Sequence, residues 1–483
     1  MTVASALTTV AAIDARPEPA GVRVGLLTSG LAAFAARVRA ARSATRRLDL
    51  QYYIWRDDVT GRLLAREALR AAERGVQVRL LLDDMYAIGG ERLLSILDAH
   101  PHIEVRLFNA TTWRRFGQFG FLLEMLFGGW HLNRRMHNKA WIVDSRIAIL
   151  GGRNVGDEYF DASDTFNFRD LDLTIMGPAA DSAGDIFERY WHHPLSRPVS
   201  EICQAPHRRR GGLRGLARRL DRAATAPDAK PFLRELDTDP TAAAVLKGDP
   251  SILSTVPGGV VRLLSDPPDK VTGRAPATEW LAPVVLDLLR SATREALLVS
   301  PYFVPGEEGA ALLSNLAASG VRVSVITNSL AATDVVAVHG GYARYREGLL
   351  RAGVVIHELR PSGEEGASLL GSRGASLHTK ALVVDGARAM VGSFNLDPRS
   401  RALNTETGTI VDDPSIAQGI VREHARLSEP ARSWRVSLDG DGRLIWVAAE
   451  NGEQRVWRTE PGASRKRRAL AWLVGCVPIE SQL

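Results

Sequence analysis

The stretch from Met136 to Asn154 has a second copy from Leu377 to Asn395 in this chain of 483 residues. Both copies read His-x-Lys-x4-Asp, followed by six residues, a Gly-Gly or Gly-Ser pair and then x-Asn, without any insertion. Eleven His and six Lys in the chain predict about 0.14 His-x-Lys triplets by chance. Two triplets in one wider frame therefore indicate an internal duplication.

Each copy has the pattern of a β-hairpin. In the first copy an apolar run at 140–143 follows the His-Lys pair, and a turn and a second apolar run come next. Because side chains alternate along a strand, His137 and Lys139 are predicted to point to one face. The second copy repeats the pattern, with His378 and Lys380 in the equivalent places.

The ends of the two hairpins carry further polar residues. Asp144 and Asp385 close the motifs, and two interpretations stay open: they are hairpin-turn residues, or they belong to a catalytic set. Each hairpin then ends in Gly-x-x-Asn. Glycine lets the backbone approach a ligand closely, and a helix that starts there would offer free N–H groups. Phosphate is therefore the predicted ligand.

The doubled HxK(x)4D motif resembles that of the phospholipase D superfamily. The resemblance implies an α/β fold of two similar domains, each a β-sheet flanked by helices. A pseudo-twofold axis would relate the domains, and both would contribute to one shared active site. One imidazole then attacks phosphorus and the other protonates the leaving oxygen, through a phosphohistidine intermediate.

The same resemblance implies the roles of single residues. His137 and His378 form the catalytic pair, with His137 as the expected nucleophile and the reverse assignment left open. The catalytic set is completed by Lys139, Asp144, Lys380 and Asp385. The phosphoryl oxygens would be bound by Asn154, Ser393 and Asn395, and the histidine rings would be oriented by Asp170 and Glu406.

Two points of this assignment carry alternatives. Asp172 is the substitute for Asp170, since both lie in the text FRDLDLTI. The first copy departs from the superfamily pattern because Gly152 stands where the second copy has Ser393, so one hydroxyl donor is missing and a backbone N–H would replace it. No metal and no other cofactor is expected, because two lysines supply positive charge and no His/Cys/Asp cluster has zinc spacing.

The order of the remaining elements also repeats. Each half reads β-α-β-α-β before its hairpin, with Gly75-Val76 and Gly320-Val321 as matched positions before a strand. The sequence therefore predicts a first phospholipase D-like domain at 1–205 and a basic, Pro-rich linker or insertion at 206–257. A second phospholipase D-like domain follows at 258–430, and a small β-meander with an amphipathic helix ends the chain at 431–483.

Composition limits the partners and the cellular setting. A net charge of +6 and a pI near 9.5 favour anionic partners, either nucleic acid or an anionic membrane surface. The cysteines, Cys203 and Cys476, form no disulfide framework and fit a reducing compartment. The N-terminus lacks the pattern of a signal peptide, and no apolar run approaches the roughly 20 residues of a membrane span. We expect a soluble or peripheral protein.

Further local text resembles bacterial cardiolipin synthases of the branch without N-terminal membrane spans. This text includes YYIWRDD, NVGDEYF, SPYFVPG and VHGGYARYR. The resemblance implies a phosphatidyltransferase that moves a phosphatidyl group from a phospholipid donor to phosphatidylglycerol. Its partners would be phospholipids, with phosphatidylethanolamine as a further candidate donor, and the cytoplasmic face of the bacterial inner membrane. The need for an accessory protein stays open.

Two alternatives remain. A hydrolytic phospholipase D would differ only in using water to resolve the intermediate. A nucleic-acid enzyme or binder would use the Arg-rich segment 208–219, but the sequence contains no motif of known nucleic-acid readers, so no nucleic-acid partner is expected.

An apolar stretch from Trp113 to Arg135 directly precedes the first motif. It is rich in Trp, Phe and Leu and has a pair of arginines near each end. One interpretation is a segment that lies in the membrane interface, with its arginines on anionic lipid. The other is a buried helix that leads into the hairpin. The text SRKRRALAWLVG near the C-terminus gives a weaker form of the same signal.

Overall fold

The computed structural model describes residues 21–203, 212–361, 375–450, 452–477 and 480–482. Ten strands lie in the first part of the chain: β1 Val22–Leu27, β2 Arg47–Tyr52, β3 Gln77–Asp83, β4 Ile103–Phe108, β5 Ala140–Val143, β6 Ile147–Gly151, β7 Asn167–Arg169, β8 Asp172–Met176, β9 Ser196–Pro198 and β10 Ser254–Val256. Eleven follow: β11 Val261–Ser265, β12 Glu295–Val299, β13 Arg322–Asn328, β14 Val355–Leu359, β15 Ala375–Leu377, β16 Ala381–Val384, β17 Arg388–Gly392, β18 Thr407–Val411, β19 Ser433–Leu438, β20 Leu444–Glu450 and β21 Glu453–Trp457.

The α-helices of the described residues flank these strands. They are α1 Gly30–Ser43, α2 Val59–Glu73, α3 Asp84–Ala87, α4 Glu91–Asp98, α5 Gly117–Leu126, α6 Ala179–Trp191, α7 Val199–Ile202, α8 Gly212–Ala223, α9 Lys230–Thr238, α10 Pro240–Lys247, α11 Leu281–Arg290, α12 Gly306–Ala318, α13 Val336–Arg351, α14 Pro398–Ala402, α15 Pro414–Leu427 and α16 Arg465–Gly475. None of them is both long and apolar enough to cross a bilayer.

Two mixed sheets repeat one topology. The first has the order β10-β1-β8-β6-β5-β2-β3-β4-β9, and the second has the order β11-β18-β17-β16-β12-β13-β14-β19-β20-β21. In each sheet three consecutive strands are parallel, β2-β3-β4 in one and β12-β13-β14 in the other. The expected α/β fold of two similar sheet-and-helix halves is confirmed.

The core between the sheets explains the unbroken apolar strands. Ile142 of β5 faces this core together with Val383 of β16, whereas Trp141 points to the helices on the outer face. Helices α6 and α15 contribute to the same inner core. A strand covered on both faces needs apolar residues at every position, which is the pattern that the hairpins show.

The segments outside the two repeats extend the sheets. In the described part of 206–257, helices α8, α9 and α10 belong to the outer core of the first half, and β10 pairs with β1. The residues 206–211 lie outside the described part. At the other end, β19 pairs with β14 and continues through β20 to β21, while α16 packs against α13. The C-terminal meander is thus an edge of the second sheet.

The apolar stretch before the first motif folds partly inward and partly outward. Phe121 is buried, whereas Phe119, Leu126 and Phe127 of the same region are mostly exposed. The expectation that its arginines contact lipid is wrong for Arg114 and Arg135. Both are buried, and each is paired with an acid at the end of β3, Arg114 with Asp84 and Arg135 with Asp83.

Candidate active site

The backbone of each motif histidine is held by the opposite half. The His137 N–H donates to the Thr405 carbonyl at 2.9 Å, and the His378 N–H donates to the Arg169 carbonyl at 2.8 Å. A short parallel pair of β7 and β15 also joins the halves just before His378. Strands β5 and β16 consequently begin after the His-Lys pairs, and not at the histidines as the alternating pattern predicted.

Each of the two imidazoles contacts a carboxylate of the opposite half. His137 Nδ1 lies 2.8 Å from Glu406 Oε2, and His378 Nδ1 lies 2.6 Å from Asp170 Oδ2. A carboxylate only accepts hydrogen bonds, so each Nδ1 carries the proton and each Nε2 presents a lone pair. The sequence singled out both acids, but their crossed pairing is a tertiary feature.

Aromatic rings that the sequence analysis did not assign to the site pack against the histidines. The ring of Tyr53 lies edge-on to His137 with the centroids 5.1 Å apart. Tyr159 and Phe168 lie 5.3 and 4.9 Å from His378. These residues occur in the texts YYIW, DEYF and FNFR. The sequence could have pointed to them only through the position of an aromatic residue soon after an apolar strand or a motif.

Ser393 and Gly152 stand at the same motif position but lie next to different carboxylates. The Ser393 hydroxyl donates to Glu406, which also accepts a hydrogen bond from Ser400. The structure therefore places Ser393 behind the carboxylate, and not on a ligand oxygen. A Cβ at Gly152 would lie 2.2 Å from Asp170 Oδ1. Glycine thus leaves the space that the Asp170 carboxylate occupies, and no hydroxyl donor fits there.

Both motif lysines are buried beside their own histidines. Lys139 Nζ donates to the His137 carbonyl at 2.6 Å, and Lys380 Nζ donates to the His378 carbonyl. Each ammonium keeps further protons for a ligand oxygen. Burial lowers the pKa of Lys139 to about 7, and it lowers the pKa of Lys380 to about 8 against the opposing effect of Asp170 and Glu406. A bound phosphate would favour the charged form of both lysines.

The same burial acts on the histidines. It lowers the pKa of His137 to about 4, although Glu406 opposes the shift. Burial and the charges of Lys380 and Lys139 hold the pKa of His378 well below its ordinary value. Both imidazoles are therefore neutral at neutral pH in the free protein. An anionic substrate would raise both pKa values, because it favours the imidazolium form.

The two asparagines of the motifs differ in their partners. The Asn154 amide donates to the Tyr159 hydroxyl and accepts a hydrogen bond from the Ile54 N–H, so its polar atoms are engaged within the first half. Asn395 Oδ1 is buried and has no hydrogen-bond partner among the described residues. Asn395 is accordingly the better placed of the two for contact with a ligand.

Asp144 and Asp385 lie at the far ends of β5 and β16, a full strand away from the lysines. The Asp144 carboxylate accepts hydrogen bonds from the backbone N–H groups of residues 45–47, and Asp385 does the same at residues 293–295. Both adopt positive φ, which suits a turn. The catalytic interpretation of these carboxylates is thereby corrected to a structural one.

Asp172, the alternative to Asp170, also has a structural position. Its carboxylate lies 3.0 Å from the Arg37 guanidinium and 3.4 Å from that of Arg153.

Elsewhere in the described residues, His339, Glu358 and Glu460 come close enough to share an ion. The Arg346 guanidinium already binds both of those carboxylates, at 2.9 and 2.8 Å, and so takes the place that a cation would occupy.

Two similar sheet-and-helix halves with one joint His-Lys centre define the phospholipase D class of protein. A family model described as "Cardiolipin synthase, PLD-like domain" matches residues 38–191 and 285–427. Cardiolipin synthase C of Escherichia coli is 39% identical over 462 residues, covering 94% of this chain and 94% of that protein. The chain therefore belongs to the cardiolipin synthase family of phospholipase D-like proteins, as its motifs indicated.

Other relatives agree with this placement. An uncharacterized protein of Helicobacter pylori is 34% identical over 436 residues, covering 88% of this chain and 83% of that protein. The crystal structure of phosphatidylserine synthase from Haemophilus influenzae superimposes with a TM-score of 0.61 over 100% of this chain and 99% of that one. The sequence identity in that case is 14%, so the likeness concerns the fold alone.

Proposed function

We propose that this protein is a phosphatidyltransferase that forms cardiolipin by moving a phosphatidyl group from a phospholipid donor to a hydroxyl of phosphatidylglycerol. The observation that carries the proposal is the pair of buried histidines, each bound to a carboxylate of the opposite half. This arrangement supplies a nucleophile and an acid in one site. The 39% identity to a cardiolipin synthase over nearly the full length supports the choice of phospholipid substrates.

In the first step His137 Nε2 attacks phosphorus. A P–N bond forms as the P–O bond to the alcohol of the donor head group breaks. His378 takes up a proton at Nε2 from solvent when the anionic substrate binds and raises its pKa, and it gives that proton to the leaving oxygen. Glu406 stabilises the charge that develops on His137 through the hydrogen bond at Nδ1. Lys139 and Lys380 neutralise the charge on the equatorial phosphoryl oxygens.

In the second step a hydroxyl of phosphatidylglycerol replaces the departed alcohol. His378, now neutral, accepts the hydroxyl proton while the oxygen attacks phosphorus, and the P–N bond to His137 breaks. This step releases cardiolipin and returns both histidines to their original protonation states. Water in place of this hydroxyl would release phosphatidic acid, which is the hydrolytic alternative.

We propose a peripheral location on the cytoplasmic face of the membrane, and the exposed side chains of the apolar stretch support the peripheral part of this proposal. Phe119, Leu122, Leu126 and Phe127 are large, apolar and exposed on or next to α5, which leads within a short distance of chain to His137. Trp472 and Leu473 of α16 are exposed as well. Large side chains of this kind partition into a lipid interface.

The test is to incubate the purified protein with phosphatidylglycerol vesicles, with and without phosphatidylethanolamine, and to identify the products by mass spectrometry. We expect cardiolipin and the released head-group alcohol. Phosphatidic acid alone would establish the hydrolase, and cleavage of DNA without any lipid product would overturn the proposal. The variants His137→Ala and His378→Ala should each abolish turnover, whereas half of the activity surviving in either would mean two independent sites.

A further inference from the structure

A tyrosine and an aspartate of the second half form a hydrogen-bonded pair beside the catalytic centre. The Tyr302 hydroxyl donates to the Asp334 carboxylate, at 2.8 Å from Oδ2 and 3.0 Å from Oδ1. Tyr302 belongs to the text SPYFVPG, and Asp334 belongs to the text TNSLAATD. Neither side chain takes part in the proton or phosphoryl transfers, so the pair needs another explanation.

Tyr302 lies on a segment that runs alongside the second motif. Val299, the last residue of β12, pairs with Ala381, which follows His378 by three residues. Because β12 and β16 are antiparallel, the chain after Val299 runs toward His378. Burial and the Asp334 charge hold the pKa of Tyr302 well above its ordinary value. The hydroxyl therefore stays protonated and acts as the donor of the pair.

The loop that carries Asp334, between β13 and α13, is attached to the residues just before His378. The Ser376 hydroxyl donates at 3.2 Å to a backbone carbonyl two residues before Asp334. Before the loop, the Asn328 side chain accepts a hydrogen bond from the Leu377 N–H and donates one to the Leu377 carbonyl. These contacts fix the loop beside the second motif histidine.

The Asp334 carboxylate is exposed, and its charge reaches both halves of the site. Burial raises the pKa of Tyr86 in the first half, and the Asp334 charge acts in the same direction. Burial lowers the pKa of Lys380 in the second half, and the Asp334 charge opposes that shift. An ionised carboxylate has roughly four acceptor positions, so the bond from Tyr302 leaves others for a ligand.

The first half has an apolar residue in place of Tyr302. In each half the next residue along the chain, Trp55 or Phe303, pairs with the residue that follows the motif asparagine. Ile54 therefore stands where Tyr302 stands in the second half. An aliphatic side chain offers no hydroxyl that could orient a carboxylate. The tyrosine and aspartate thus mark the side of the site on which His378 lies.

The alcohol of each lipid passes on that same side. In the proposed steps His378 protonates the alcohol that leaves and then deprotonates the one that enters, so the carbon atoms of both alcohols lie beside it. We infer that Asp334, oriented by Tyr302, accepts a hydrogen bond from the neighbouring hydroxyl of the glycerol head group of phosphatidylglycerol. Asp334 is then a specificity-determining residue, and Tyr302 is a positioning residue. The inference rests on the proposed function, with His137 as the nucleophile.

The experiment compares two alcohols that attack the same intermediate. Purified protein and phosphatidylglycerol vesicles are incubated with equal concentrations of deuterated glycerol and 1-propanol. Mass spectrometry gives the ratio of labelled phosphatidylglycerol to phosphatidylpropanol, which does not depend on the donor step. We expect the wild type to favour glycerol. Asp334→Ala should lower the ratio roughly tenfold, because the second hydroxyl loses its charged acceptor. Tyr302→Phe should lower it less, because the carboxylate remains without its orienting bond.

Asp441→Ala, in the exposed turn between β19 and β20, is the matched control and should keep the wild-type ratio. A wild type without preference, or an unchanged ratio in folded Asp334→Ala, would overturn the inference, and so would an equal fall in both products. Tyr302→Phe decides if Asp334→Ala fails to fold. Cardiolipin without either alcohol product also counts against it, because a site for the head group would admit glycerol. No phospholipid product at all would instead overturn the proposed function.

Discussion

Gly152 and Ser393 occupy equivalent motif positions but serve carboxylates of different length. Ser393 donates to Glu406, and Gly152 leaves room for the shorter Asp170. The two carboxylates fix the two imidazoles, so these small residues set the position of the reacting nitrogens indirectly. The two copies therefore differ in a matched way, with Ser393 beside Glu406 in one case and Gly152 beside Asp170 in the other. Each carboxylate still reaches the Nδ1 of its histidine.

Gly152→Ala tests this account. The added methyl group would overlap Asp170 Oδ1 and displace the carboxylate from His378. We expect kcat to fall about 100-fold, because a misplacement of about 1 Å at a catalytic group has that effect. Gly259→Ala is the matched control, since it lies in open space. Unchanged kcat in folded Gly152→Ala would show that Asp170 does not position His378.

Asp144→Asn and Asp385→Asn should lower stability and spare kcat. Burial raises the pKa of Asp385, but backbone hydrogen bonds from Glu295 and Arg294 outweigh it and lower the pKa to about 2. Such a carboxylate stabilises the fold above its ordinary pKa of about 3.8, and this contribution is lost as the pH falls through about 2. Each substitution should cost about 1 kcal/mol in thermal unfolding. A kcat loss without a change in Tm would restore the catalytic interpretation.

The pH dependence of kcat/KM on a soluble phosphodiester should be bell-shaped. His137 must be neutral to attack, and its pKa of about 4 sets the acid limb. His378 must carry a proton to act as the acid, and burial and the two lysines hold its pKa well below the ordinary value, so kcat/KM should already decline with rising pH on the acid side of neutrality. It should decline further as Lys139, with a pKa of about 7, and Lys380, with a pKa of about 8, lose the charge that holds the phosphate. A profile that stays level from pH 6 to 9 would contradict these lysine roles.

At the scale of single elements, α5 and the residues beside it present one buried face and one exposed face. Phe121 packs inward near the Arg135 guanidinium, which is 5.9 Å from the ring centroid. Phe119 and Phe127 are 65% and 76% exposed, more than a core residue would be. The sequence left an interfacial segment and a buried helix as alternatives. Phe121 fits the buried helix, and the interfacial role of the exposed side chains stays a prediction.

Replacing Phe119, Leu126 and Phe127 with Ser should weaken vesicle binding at least tenfold, because burial of such a side chain contributes about 1.5 to 3 kcal/mol. Activity on a soluble phosphodiester should persist. Arg114 and Arg135 are engaged inside the protein, so neither should contribute to the salt dependence of vesicle binding. The exposed Val456, on β21, gives the control variant Val456→Ser. Vesicle binding equal to that of the wild type would exclude docking through α5.

At the scale of the whole molecule, the core between the sheets keeps the two halves in one unit. Residues of β5, β6 and β8 form a single cluster with residues of β16, β17 and β18. Hydrogen bonds from both motif histidines cross from one half to the other. Each half therefore completes the site of its partner, and neither contains a histidine with its carboxylate.

Mixing the inactive variants His137→Ala and His378→Ala should not restore activity, because both histidines act within one folded chain. The measurement is turnover of phosphatidylglycerol by the mixture, compared with each variant alone and with wild type at the same dilution. Recovery of activity in the mixture would show that two chains exchange halves to build the site.

The sequence by itself determined the local features of this protein. The repeated frame identified the two hairpins, the histidines and the lysines, because each of these is set by neighbours within a few residues. Both acids came from the resemblance to the superfamily. The apolar runs correctly predicted the strands, since a strand covered on both faces needs apolar residues throughout. The family followed from the same motifs.

Only the tertiary structure decided how the halves combine. The crossed pairs of His137 with Glu406 and of His378 with Asp170 join residues more than 200 positions apart, and no local pattern encodes such a contact. The inward direction of Arg114 and Arg135 depends on Asp84 and Asp83 at the end of another strand.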